Sequence, residues 1–230
     1  MAEDAVVVVF ARAPVPGETK TRLIPTLGAL GAAELYRCFL LDVLARAAEV
    51  AAGVVVAASE AAQADAVREL VREACPRAEV ILQRGDDLGE RMMNAFQEAF
   101  TQGYRRVVIL GTDLPTLPFD RVTRALDLLR DRELVLGPCL DGGYYLIGLR
   151  RARPQLFQHM EWGGSAVLVD TLRRAQSIGA SVSLLEPWFD VDTPRDLEVL
   201  RSYLTALALA GESIPCAKTW RYLRHEAAAR

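Results

Sequence analysis

Five consecutive apolar residues, Val6 to Phe10, stop at a loop that carries Pro14, Pro16 and Gly17 and ends on the cations Lys20 and Arg22. Such a run, broken by helix- and strand-incompatible residues, predicts a buried strand that delivers basic side chains on a kinked loop. The segment after it, Leu27 to Ala52, is rich in Ala, Leu and Glu and predicts a long helix with Leu35, Phe39, Leu40 and Val43 on its apolar face. The same order of events recurs. Val54–Ala58 reads as a second strand, Ser59 as a cap for a helix over 61–74, and Glu79–Gln83 as a third strand. A polar loop, RGDDLG, leads to a helix over 90–101, and Arg106–Leu110 is a fourth strand that runs into Gly111-Thr112-Asp113-Leu114-Pro115.

Further along, 118–131 predicts a helix, Leu134–Gly137 and Tyr144–Leu149 predict strands flanking Asp141-Gly142-Gly143, and 165–179 predicts a helix. Val182–Glu186 reads as a strand, a helix runs from Pro194 to about Ala210, and the tail from Ile214 shows only a basic helical tendency. Strands that alternate with helices build a three-layer α/β/α sandwich around a mostly parallel mixed sheet, with antiparallel additions in the later, hairpin-like part. No repeat or linker divides the 230 residues, so a single domain is expected. In open sheets of this kind ligands sit at the carboxyl ends of the strands. Four loops fall there: the Lys20 loop, RGDDLG, GTDLP and the DGG turn.

Composition excludes several classes. A formal charge of -3 argues against nucleic acid as a partner, and no apolar run reaches the roughly 18–20 residues that span a bilayer. The acidic start, MAEDAVVVVF, does not have the form of a secretory signal. Cys38, Cys75, Cys139 and Cys216 are widely spaced, which disfavours a zinc site or a disulfide framework and fits a reducing cytoplasm. Lys20 and Lys218 are the only lysines against a background of arginine. In a loop at a helix start, Lys20 suits an anion as a compact point charge, with Arg22 and Arg12 beside it. The loop matches neither G-x-x-x-x-G-K-[ST] nor G-x-G-x-x-G.

Asp113, at the end of a buried strand, suits Mg2+ or Mn2+, which take oxygen ligands and phosphate co-ligands, or else caps the helix that follows. Asp190 and Asp192 flank Val191 and on a strand would share one face, as further metal ligands; Asp192-Thr193-Pro194 equally has the form of a helix cap. Asp141-Gly142-Gly143 permits either close backbone approach to a ligand or a tight turn. Asp86 and Asp87 suit a ribose or base, or cap the next helix. Trp162 offers a ring for stacking, or fills the core. His159 and His225 have no partners at metal or triad spacing, and neither G-x-S-x-G nor H-E-x-x-H is present.

Six segments, ARAPVPGETKTRL, DDLGERM, GTDLPTL, GPCLDGGYYLIGL, EWGGSAVL and DVDTPRDL, together resemble the glycosyltransferase-like proteins associated with radical-SAM and selenodomain gene clusters, which have links to arsenosugar biosynthesis. That group is similar to the nucleotide-diphospho-sugar transferases of GT-A fold, and the resemblance spans roughly residues 5–205. A more distant likeness is to 2-phospholactate guanylyltransferase, through KTRL, the TDLP turn, the paired glycines and DVDTP. The resemblance implies a nucleotide bound by Ala11, Arg12, Gly17, Lys20, Arg22, Asp87 and Thr112, with Lys20 and Arg22 on its phosphates. It also implies a metal on Asp113 and Asp192, with Asp190 near, and an acceptor against Asp141, Gly142, Gly143 and Trp162. Two departures matter. Gly163 and Gly164 precede Ser165 where the family has an earlier hydroxyl, and GTDLP holds one Asp where glycosyltransferases of this fold often have D-x-D.

The expected activity is metal-dependent transfer from a nucleotide sugar to a small-molecule acceptor, with Lys20, Arg22 and Asp113 as catalytic groups. The alternatives are nucleotidyl transfer to a phosphorylated metabolite with pyrophosphate release, and nucleotide binding without turnover.

Overall fold

Residues 4–50 and 53–228 are described by the computed structural model. Its strands are β1 (Ala5–Ala11), β2 (Gly53–Ala58), β3 (Glu79–Leu82), β4 (Arg106–Leu110), β5 (Leu134–Pro138), β6 (Tyr144–Leu149) and β7 (Val182–Leu184). They form one sheet in the order β3-β2-β1-β4-β6-β5-β7. Every pairing is parallel except those of β6, which runs antiparallel to both β4 and β5. The sheet is thus mixed and mostly parallel, as the alternation predicts, and the antiparallel addition is the single strand after the DGG turn.

The helices are α1 (Ile24–Val50), α2 (Ala64–Ala74), α3 (Leu88–Thr101), α4 (Asp120–Leu128), α5 (Val167–Ser177), α6 (Pro194–Leu209) and α7 (Ala217–Ala228). The strand period of two sorts β1 between them. Val7, Val9 and Ala11 join the core under α1, α2 and α4, whereas Val6 and Val8 meet Met92 and Phe96 of α3 on the other face. Every residue of β1 except Phe10 is buried, the expected state of a central parallel strand covered on both sides.

Several boundaries differ from the expectation for local reasons. Ser59 caps nothing; its N–H donates to the Ala11 carbonyl at 2.9 Å, and a 3-10 turn over Ala61–Gln63 precedes α2. α1 begins at Ile24 rather than Leu27, because Gly28 (φ +72°) absorbs a non-helical break that a residue with a Cβ would resist. Its expected end at Ala52 lies outside the described residues. β7 is shorter than expected, stopping at Leu184.

The least legible element is α7, which covers the outer side of α1. Leu35 and Phe39 of α1 pack with Leu200, Leu204 and Leu223, while Leu40 and Leu44 face the sheet. α1 is therefore apolar nearly all round because both sides are covered. Asp42, buried at 6% exposure, reaches out of α1 and accepts the Lys218 and Thr219 N–H groups at 3.1 and 2.8 Å, capping α7. Burial pushes the Asp42 carboxyl up, and these hydrogen bonds oppose the rise. Asp42→Ala leaves both donors unpaired and should cost about 2–3 kcal/mol in urea unfolding. Asp42→Asn, which keeps one acceptor oxygen, should cost less; equal losses would show that the cap is not what holds α7.

At the far edge, Glu133 takes ion pairs from Arg153 and Arg151, which hold its carboxyl down at about 2 against an ordinary 4.5. The folded state thus binds this proton less tightly than the unfolded chain, so the pairing stabilises above pH 4.5 and fades as pH falls toward 2. Glu133→Gln should flatten the acid limb of the stability profile in that window. An unaltered limb by circular dichroism would place the acid sensitivity elsewhere. Among the described residues, no helix is long and apolar enough to cross a membrane.

Candidate functional site

Strand order turns back beside β1: β2 and β3 lie to one side and β4 to the other. The crevice at the carboxyl ends of β1 and β4 is the switch point where open sheets of this type receive ligands. The loops that meet there carry Lys20 and Asp113.

The Lys20 loop is shaped from within. Buried Thr19 donates its hydroxyl to the Ala13 carbonyl at 2.9 Å and accepts the Val15 N–H at 3.2 Å. Gly17 (φ +87°) and then Lys20 itself (φ +51°) take the left-handed conformation. For a residue with a Cβ this costs about 1–3 kcal/mol, and it persists where the surroundings over-determine it. Here they do. The Lys20 ammonium lies 2.6 Å from Asp113 Oδ1, 2.5 Å from Asp192 Oδ1 and 2.8 Å from the Val191 carbonyl, with its side chain only 5% exposed. Burial disfavours its charge, but the two carboxylates outweigh burial and raise its pKa, so it remains an ammonium.

Both carboxylates are free for this because neither caps a helix. α4 starts at Asp120 with Phe119 at its cap position, well beyond Asp113. α6 is capped by Thr193, whose hydroxyl accepts the Asp196 N–H while Asp196 Oδ2 accepts the Thr193 and Asp192 N–H groups. The 190–192 segment is held to the switch point by the Val191 N–H, which donates to the Asp113 carbonyl at 3.0 Å.

Two cavities flank Asp113. One, of about 190 Å³, is lined by Arg12, Glu18, Lys20, Arg22, Tyr36 and Asp192 as well as Asp113. The other, of about 250 Å³, runs under Phe10, Leu88, Met92, Tyr144, Tyr145 and Trp162 and ends at Asp113, Asp141 and Asp190. Asp190 and Asp192 therefore face different cavities. Sharing one face required a strand, and this segment is irregular, so the alternation rule does not apply to it.

The other candidates divide. Arg12 and Arg22 are exposed at the cationic cavity, and Gly143 and Trp162 line the apolar one. Gly142 (φ +95°) packs so tightly on Ser165 that a Cβ would sit 2.2 Å from its carbonyl oxygen, so the DGG turn is both a tight turn and a close approach. Ala11, Gly17, Asp87 and Thr112 line neither cavity. Ala11 is buried in β1, Asp87 caps α3 by accepting the Glu90 N–H at 2.8 Å, and the Thr112 hydroxyl is paired with Tyr36 Oη at 2.9 Å. His159 and His225 line neither of these cavities.

Two contributors escape a motif search. Tyr36 sits in the middle of α1, and its hydroxyl accepts the Arg12 N–H at 3.1 Å while pairing with Thr112, thereby tying the β1 loop to the β4 turn. The only sequence signal is a phenol on an otherwise apolar helix face, which must find a partner. Cys139 stands beside Asp141 and Asp190, their ligand atoms within 4.8 Å of one another. Burial, then the Asp190 and Asp141 charges, push its thiol up to about 12. As a soft sulfur donor it does not suit a hard cation, which leaves the oxygens of Asp141 and Asp190 as the donors of this group. Burial and the charges of Asp192, Asp141 and Asp113 raise Asp190 to about 6, a measure of how much negative potential collects here.

The donor set fits Mg2+ or Mn2+: Asp113 and Asp192 are oxygen donors that already converge on one cation, the Lys20 ammonium, with Asp190 behind them.

A family model described as "Uncharacterized protein conserved in bacteria (DUF2064)" matches residues 40–164, more than half of the chain. The chain belongs to the DUF2064 family. A solved structure from Desulfovibrio desulfuricans G20, provisionally named a nucleotide-diphospho-sugar transferase, is 35% identical, with a TM-score of 0.87 over 98% of this chain and 96% of that one. Two more distant structures share the fold alone. One is CMP:2-keto-3-deoxy-manno-octonic acid synthetase complexed with CTP, at 16% identity and a TM-score of 0.55 over 89% of this chain and 99% of that one. The other is a Mycobacterium tuberculosis H37Rv protein in complex with manganese, at 17% identity and a TM-score of 0.50 over 86% and 97%. No curated protein matches in sequence. This DUF2064 chain thus has the nucleotide-diphospho-sugar transferase fold that the motifs imply.

Proposed function

We propose that this DUF2064 protein is a metal-dependent transferase that moves a glycosyl group from a nucleotide sugar to a small acceptor. The observation that carries the proposal is the position of Asp113 as the common wall of a cationic cavity and a largely apolar one, with Lys20 held against it. Phosphates of the donor fit the first cavity, where Arg12, Lys20 and Arg22 converge; the acceptor fits the second. The relative provisionally named a nucleotide-diphospho-sugar transferase and the manganese-bound protein of the same fold support the donor class and the metal.

In this reaction the acceptor hydroxyl or amine forms a bond to the anomeric carbon and gives up its proton to water. The bond from that carbon to the phosphate oxygen breaks, and the electron pair leaves with the nucleoside diphosphate. Mg2+ or Mn2+ on Asp113 and Asp192 would supply charge neutralisation for that leaving group. Lys20 and Arg22 bind the phosphates and stabilise the charge they develop, Asp113 orients Lys20, and Trp162 and the DGG turn shape the acceptor's side.

Nucleotidyl transfer is the second reading, favoured by the lone Asp before Leu114-Pro115 and by the CTP complex of the synthetase with this fold. Product analysis separates the two. Incubation with Mn2+ and a panel of nucleotide sugars should release nucleoside diphosphate, and nucleoside triphosphates should yield no pyrophosphate; the reverse selects nucleotidyl transfer. A thermal-shift screen with the same panel finds the base, since a ligand at a hundredfold excess over Kd stabilises by about 2.7 kcal/mol. Absence of any metal-dependent nucleotide binding would refute both.

A further inference from the structure

The walls of the larger cavity restrict what the acceptor can be, and this inference rests on the assignment of that cavity to the acceptor. Its inner surface is built from Phe10, Met92, Ile147, Tyr144 and Trp162, and its rim carries Leu88, which is 44% exposed. Where it reaches the switch point its polar groups are the carboxylates of Asp113, Asp141 and Asp190 and the Cys139 thiol. Among the described residues no Lys, Arg or His lines it, whereas three cations line the neighbouring cavity across Asp113.

Two physical consequences follow. A volume of about 250 Å³ exceeds the ~150 Å³ apolar cavity that takes up benzene, so there is room for a compact body of one to two rings. An anionic group has no counter-charge at the reacting end. Asp113, Asp141 and Asp190 line it with three carboxylates, and the Lys20 ammonium that touches Asp113 is shared with Asp192. Carboxylates accept hydrogen bonds from hydroxyl and ammonium groups and repel phosphate and carboxylate.

We infer that the acceptor is an uncharged or cationic alcohol or amine with a compact apolar body, and that phosphorylated or carboxylated acceptors are excluded. The DGG turn holds this geometry: Gly142 sits against Ser165, and the Asp141 carboxylate accepts the Gly143 N–H at 2.9 Å, which fixes it at the cavity mouth.

The test uses the full chain, without metal, and three fluorescent probes that differ only at one end: 1-naphthylmethanol, 1-naphthylmethylamine and 1-naphthylmethyl phosphate. The alcohol and the amine should bind and compete with each other, and the phosphate ester should bind at least about tenfold more weakly. In an Asp141→Asn/Asp190→Asn double variant the ester's disadvantage relative to the alcohol should shrink several-fold, a change in the ratio of two ligands on one protein that loss of folding would not produce. An ester that binds as well as the alcohol overturns the inference, and so does failure of all three probes. Nucleotide binding with Mn2+, measured in parallel, keeps the outcomes apart: if it persists while the probes fail, the acceptor class is wrong and the transferase proposal stands; if it is absent as well, the proposal itself has failed.

Discussion

Asp113→Asn is expected to lower turnover by about two to three orders of magnitude while leaving the fold in place. The side chain is 40% exposed, so the half-solvated ion pair with Lys20 contributes no more than about 1 kcal/mol to folding. The backbone link from the Val191 N–H to the Asp113 carbonyl does not involve the carboxylate and survives the change. The functional loss is larger because one carboxylate faces both cavities, holds the Lys20 ammonium at 2.6 Å and, in the proposed mechanism, would hold the metal with Asp192. Asparagine keeps the shape and an oxygen but removes the charge on which the last two depend. The check is nucleoside diphosphate release in Mn2+ alongside thermal unfolding. A variant that melts near the wild type and retains half its turnover would remove Asp113 from the chemistry.

For Lys20→Ala the expected result is divided. Nucleotide affinity should fall by about tenfold to a hundredfold, because a buried point charge facing phosphate is lost. Mn2+ affinity without nucleotide should hold or rise, since Asp113 and Asp192 lose a competing cation that now sits 2.6 and 2.5 Å from them. Folding should weaken by about 1–2 kcal/mol, less than the 3–5 kcal/mol of a fully buried broken pair, because water reaches both carboxylates. Lys20→Arg should not restore nucleotide binding: the position is 5% exposed and takes a compact ammonium with three short contacts, and a planar fork does not fit there. Calorimetry with nucleotide and with Mn2+ alone measures both halves. Unchanged nucleotide affinity would reduce Lys20 to a strut between three loops.

These two residues also show how much of the fold and the site is written in the chain itself. The layered α/β architecture was legible because burial dictates it: Val6–Phe10 and Val107–Leu110 are apolar without alternation, as strands covered on both faces must be. The loops that carry Lys20, Asp113 and the DGG turn could be placed at the strand ends from order alone. The resemblance in those loops pointed to the nucleotide-diphospho-sugar transferase fold that the matches support. Elements that rely on distant partners were obscure. α7 has no strong periodicity of its own and is held by Asp42, a residue some 176 positions away. Tyr36 reaches the cationic cavity from the middle of α1 and bonds there to Thr112 and Arg12, partners distant in the chain, so no local pattern announces it.

What the sequence determined by itself is the inventory: apolar strands, the helices between them, and basic and acidic residues in the connecting loops. These depend on periodicity and turn chemistry within a few residues. What only the tertiary structure decided is who faces whom. It turned Asp190 and Asp192 into different cavities, gave the α6 cap to Thr193 so that Asp192 was released, and set Lys20 directly between two carboxylates. The physical reason is reach. Electrostatics and packing act over ångströms in space, and loops far apart in the chain become neighbours only when the sheet brings their strand ends together.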